Sequence, residues 1–176
     1  MKITRDMKEG DKEYILLLWK KLHEEVKEDN CWPEFPSMDR FNYLLTKNCW
    51  TVVEEDTNII GFSFWKKNTK GNVCAQGIGA FDEDTYLRLV LYMLEHATEY
   101  GYGHIHENRK DEILWFKNIG ATIDMIGFEG LDIQQENRYR DINIDTNGII
   151  KKLEYKVIIP VKNIINIKNR ISNIPL

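Results

Sequence analysis

Cysteine is scarce in this chain: Cys31, Cys49 and Cys74 are three in number and widely spaced. No CxxC pair occurs, which excludes a zinc ribbon or a disulfide scaffold, and a reducing cytoplasm suits such a chain. No apolar run approaches the ~20 residues that a membrane span needs. The opening Met1-Lys2-Ile3-Thr4-Arg5-Asp6 has no signal-peptide core behind it, so neither membrane nor secretion is expected. Proline is rare as well, with four residues, and there is no Gly/Ser linker, internal repeat or low-complexity tract. The 176 residues are expected to form one domain, 1–176, long enough to bury its own core.

Positive charge is unevenly placed. Residues 149–176 carry six basic side chains against Glu154 alone, a local charge of +5 that leaves -9 for the remainder of a chain whose total is -4. So acidic a body argues against nucleic acid as the partner and suits a small cationic substrate better. The basic end reads as a solvated strand and tail, with a phosphate or an acidic partner as the other possibility.

Hydrophobic spacing orders the chain. A short strand near Lys2–Thr4 precedes a helix that Asp11 can cap, its inner face being Ile15, Leu18, Trp19, Leu22 and Val26. Pro33 and Pro36 break any helix, and Ser37 starts a shorter one through Met38, Phe41, Leu44 and Leu45. Trp50–Glu54, Ile59–Lys66 and Asn72–Phe81 read as a β-meander, joined by Asp56-Thr57-Asn58 and Asn68-Thr69-Lys70-Gly71. A long helix with Leu87, Val90, Leu91 and Leu94 on one face follows, with Gly101 as its stop. Then come a strand at His104–His106, a helix capped by Asn108 and ended by Gly120, and strands at Thr122–Phe128 and Lys152–Val161 around a polar stretch, Asp132–Gly148. The order β, α, α, β, β, β, α, β, α, β, β predicts a mixed α/β (α+β) sheet of about seven strands. Its first half should be antiparallel and its second half βαβ, with helices on both faces.

That order resembles the GCN5-related N-acetyltransferase (GNAT) superfamily. Three stretches carry the likeness: Ile59-Ile60-Gly61-Phe62, the helix Tyr86–Gly101, and Leu114-Trp115-Phe116-Lys117-Asn118-Ile119-Gly120-Ala121. The resemblance implies an acyl-CoA-dependent N-acyltransferase, with acetyl-CoA or another acyl-CoA as co-substrate and a small-molecule amine as acceptor. It implies a V-shaped opening between the fourth and fifth strands, Val73–Phe81 and Gly103–Glu107. The thioester arm would run beside Gly79, Ala80 and Phe81, and the rest of the co-substrate would touch Thr85, Tyr86, Asn108 and Phe116. Glycine inside a strand, as at Gly77 and Gly79, permits close backbone approach by a ligand, or marks a β-bulge or tight packing without one.

Two positions depart from the family pattern. Its members carry a glycine-rich motif where the pyrophosphate meets the start of the central helix. Here Phe81-Asp82-Glu83-Asp84-Thr85-Tyr86 has no glycine and three acids. Many members also place a tyrosine where Phe116 stands, to protonate the departing thiolate, and phenylalanine has no proton to give. Tyr102 is the candidate replacement.

Attack on a thioester needs a neutral amine, so a base must accept its proton. His106 and Glu54 are the candidates, with Glu55 beside the latter. His104 and His106 alternate along a strand and share one face, yet no third ligand sits at metal spacing, so no metal is expected. Trp32 and Phe35, in the proline-braced loop, would wall the acceptor. A monomer or a homodimer is compatible with all of this. The competing expectation is a catalytically inactive binding or regulatory protein on the same fold.

Overall fold

The computed structural model describes residues 1–26, 33–107, 109–126 and 154–175. Trp32, Asn108 and the polar stretch 132–148 lie outside them. Seven strands form one sheet in the order β1-β2-β3-β4-β5-β7-β6. They are β1 (Lys2–Asp6), β2 (Cys49–Glu55), β3 (Asn58–Lys67), β4 (Val73–Ala80), β5 (Tyr100–His106), β6 (Thr122–Ile126) and β7 (Glu154–Pro160). Only β4 and β5 pair in parallel; every other neighbouring pair is antiparallel. The helices are α1 (Lys12–Val26), α2 (Met38–Lys47), α3 (Glu83–Glu95), α4 (Lys110–Asn118) and α5 (Ile164–Asn173). This is the mixed sheet with helices on both faces that the element order predicts.

The sheet separates two cores. Under α1 and α2, Ile15, Trp19, Leu22 and Phe41 pack on Trp50, Phe62 and Phe64. This core is aromatic, with the Trp50 and Phe64 rings stacked at 4.6 Å, an arrangement worth ~0.5–1.5 kcal/mol beyond area burial. Under α3, α4 and α5, Leu87, Val90 and Leu94 pack with Ile105, Phe116, Val157 and Ile167. Gly61 lets α3 settle onto β3: a Cβ there would come within 2.5 Å of Thr85 and 3.2 Å of Leu89.

Turn chemistry sets the meander. Asp56 and Thr57 both take positive φ, the geometry that twists a two-residue hairpin correctly. The Asn68 side chain accepts from the N–H groups of Lys70 and Asn72, and Gly71 takes φ +79°.

Four expectations are corrected. Residues 161–173 are no solvated tail: after a short 3-10 turn (Val161–Asn163) they form α5, which buries Ile167 completely. Asp11 does not cap α1 but closes a 3-10 turn at Glu9–Asp11, its carboxylate accepting from Lys8 N–H at 2.7 Å. Gly101 lies inside β5, because α3 already ends at Glu95 with His96 as its cap. Arg109, not Asn108, stands at the cap position of α4.

Candidate active site

The site begins with a failure of pairing. β4 and β5 are hydrogen-bonded only at Val73–Gly101 and Cys74–Tyr102. Each keeps its outer neighbour to the end, β4 with β3 as far as Ala80 and β5 with β7 as far as His106. The two halves of the sheet therefore part as a V. On β4 the departure coincides with a bulge: Ala75 faces Trp65 and Gly77 faces Phe64, so Gln76 is the extra residue.

A cavity of about 580 Å³ fills the V. One side of its lining, toward α1 and α2, holds Trp19, Phe64, Arg40 and Phe35. Its waist carries Tyr102, His104 and His106, which share a parity along β5. The opposite side reaches under α3 to Val90, Met93 and Leu94, and toward α4 to Tyr86, Arg109, Glu112 and Phe116.

The polar residues in this lining are tightly held. His106 and Glu112 are buried, each about 5% exposed. Glu112 is ion-paired with Arg109 across one turn of α4. Burial, and then the Glu112 charge, push the Tyr86 phenol well above its ordinary range. Its ring meets Phe116 edge-on, with centroids 5.6 Å apart. Tyr102 is also pushed up, by burial first and then by Cys74, so it keeps its proton at neutral pH. Neither Arg109 nor Glu112 stood out in the sequence. A charged pair one helical turn apart is common on solvated helices, and only the fold buries this one.

The other residues singled out in the sequence are placed elsewhere. Phe35, 38% exposed, stands at the lip of the cavity. Glu54 is tied to Arg5 at 2.6 Å and is not among the described lining residues. Gly79, Ala80, Phe81 and Thr85 are not among them either. A Cβ on Gly79 would come within 2.7 Å of the Phe62 ring and 2.8 Å of Leu22, so close packing on the α1 face already accounts for glycine there. Phe81 is exposed, whereas Thr85 is wholly buried.

The start of α3 can be tested directly for a fit to a pyrophosphate. Asp82 is the N-cap; its carboxylate accepts from Thr85 N–H at 2.9 Å and Thr85 Oγ1 at 2.8 Å. Lys2 Nζ bridges Asp82 at 2.9 Å and Asp84 at 3.0 Å. Arg88 holds Asp84, and Arg170 of α5 grips Glu83 through two bonds of 2.7 and 2.9 Å. Burial alone would raise the Asp82 carboxyl, but Thr85 and Lys2 together hold it below its ordinary value. The helix start thus already holds a carboxylate where a phosphate would go, and its cations are spent on acids. It does not fit a pyrophosphate. The V itself, where β4 and β5 part beside Ala75 and Gly77, does fit a narrow thioester arm.

No protein-family model matches the chain, and no curated protein matches it closely. Solved structures do. A probable acetyltransferase from Staphylococcus epidermidis aligns with a TM-score of 0.65 at 16% identity, over 91% of this chain and 99% of that one. A GNAT-family acetyltransferase from Bacillus cereus gives 0.62 at 15%, over 91% and 97%. A Bacillus subtilis acetyltransferase in complex with CoA gives 0.59 at 15%, over 91% and 99%. The chain has the fold of the GNAT acetyltransferases. Among the described residues, no helix is long and apolar enough to cross a membrane, and no three metal-ligating side chains cluster.

Proposed function

We propose that this protein transfers an acyl group from a pantetheine thioester such as acetyl-CoA to the amine of a small molecule. The parting of β4 and β5 over a cavity that runs from the Phe35 lip to His106 carries this reading. The bound thioester supplies the acyl group and a thiol leaving group. Phe35 and Arg40 receive the acceptor at the lip. His106 takes the proton that the amine gives up as its nitrogen joins the acyl carbon. Tyr102, kept protonated, returns a proton to the sulfur as the carbon–sulfur bond breaks.

The test is thiol release from acetyl-CoA across a panel of small amines. Turnover with at least one amine is expected, and His106→Gln should lower kcat by ~10²–10⁴-fold with little change in KM. Equal kcat in the two proteins would remove His106 from the chemistry. A second reading has one observation in its favour, the carboxylates at the start of α3. It makes the protein a binding module on an acetyltransferase fold, and thioester binding without turnover on any amine would establish it.

A further inference from the structure

The far end of the cavity is not built for two carbons. Val90, Met93 and Leu94 line it, although each is at least nine-tenths buried and belongs to the main core. From the other side Val73, Val157 and Ile159 complete an apolar wall, again core residues. Protein interiors are close-packed, so core side chains that line a cavity mark a space shaped for an apolar guest. The polar waist of His104 and His106 lies at one side of this chamber, and the chamber continues past it under α3.

Small residues line the space along β5. Gly101 and Gly103 both line it on β5, and the facing β4 residue is Ala75. A Cβ on Gly103 would stand 3.3 Å from the Ala75 Cβ, and one on Gly101 would stand 3.3 Å from Leu94. A side chain at either place would meet its neighbour at the first carbon, Leu94 of α3 beside Gly101 and Ala75 of β4 beside Gly103. The lining of α3 runs from Tyr86 to Leu94, about 12 Å of helix, which matches an extended chain of roughly eight carbons.

We propose that this chamber is a subsite for a medium-length, unbranched acyl chain, so that the preferred donor is a thioester of about eight carbons rather than acetyl. The inference rests on the acyl-transfer reading for the direction in which the chain enters. The chain lies along Val90, Met93 and Leu94 with its thioester at the waist beside His106. Each buried methylene should tighten binding by roughly fourfold at most, until the chain reaches the closed end by Val73 and Gly101.

The experiment is a calorimetric titration with the acetyl, butanoyl, hexanoyl, octanoyl and dodecanoyl thioesters of N-acetylcysteamine, with amine turnover measured on the same series. Affinity is expected to rise by more than tenfold from acetyl to octanoyl and to stop rising at dodecanoyl. Met93→Phe, on the α3 wall away from the waist, should flatten the series while leaving the acetyl thioester nearly unaffected, and unchanged circular dichroism would show that it folds. An affinity that is flat or falling from acetyl to octanoyl in the unaltered protein overturns the proposal, whatever the variant does. Rising affinity without turnover keeps the chain subsite and removes the transferase reading. Turnover on acetyl with no gain from longer chains does the reverse.

Discussion

Arg5 reaches two carboxylates at once, Asp11 at 2.6 Å and Glu54 at 2.6 Å, and so ties β1 to the turn before α1 and to β2. The Arg5 guanidinium, opposed by burial and helped by Lys8 N–H, lowers the Asp11 carboxyl below its ordinary value of 3.8. A depressed carboxyl stabilises the fold above its unfolded-state pKa, and that contribution fades as pH falls through the folded-state value. Melting temperature should therefore drop as the solution is acidified below about pH 4. Asp11→Asn should cost ~1–3 kcal/mol at pH 7 and flatten that acid slope, both read from thermal melts. An acid slope identical in the two proteins would show that Asp11 is not the titrating group. At this scale the sequence was partly legible. The parity of His104 and His106 follows from strand alternation alone, but nothing local told that Glu54 would spend its charge on a residue 49 positions away.

The start of α3 is where one element decides between partners. Asp82, Glu83 and Asp84 read correctly as a helix beginning without a glycine-rich phosphate loop, yet their cations come from β1, α3 and α5. The pair within α3 follows from its i,i+4 spacing, but those from β1 and α5 have no sequence signal, because periodicity fixes faces and not which faces meet. Replacing the three acids by Asn, Gln and Asn would keep a capping side chain at 82 while freeing Lys2, Arg88 and Arg170. CoA affinity should rise at least tenfold, ~1.4 kcal/mol, with a steeper salt dependence, measured by calorimetry at two ionic strengths. Unchanged CoA affinity would mean that the phosphates lie away from this helix. α5 was missed for a related reason. Its Asn and Lys residues read as solvated, and asparagine is a poor helix former. Packing decides instead, since Ile167 fits into the core beside α3. Ile167→Ala should therefore cost ~2–5 kcal/mol in denaturant unfolding, a buried-core penalty that no tail residue would show.

Across the whole molecule, the order of elements and the mixed sheet with an antiparallel first half were legible because long apolar faces and turn residues agree with one another. The cavity was less so. It arises from a bulge at Gln76, which the in-strand Gly77 marks only ambiguously, and from pairing that stops after Cys74–Tyr102, which has no marker in the residues themselves. The same molecule thus keeps an open V for a thioester arm while its helix start is closed to phosphate. If that account holds, the phosphates and adenosine of CoA add nothing to binding. The direct measurement compares the dissociation constants of acetyl-pantetheine and acetyl-CoA by calorimetry at one ionic strength. The account predicts that acetyl-pantetheine binds as tightly as acetyl-CoA or more tightly. Acetyl-CoA binding more than tenfold tighter than acetyl-pantetheine would show that the phosphates are held after all, and would contradict it.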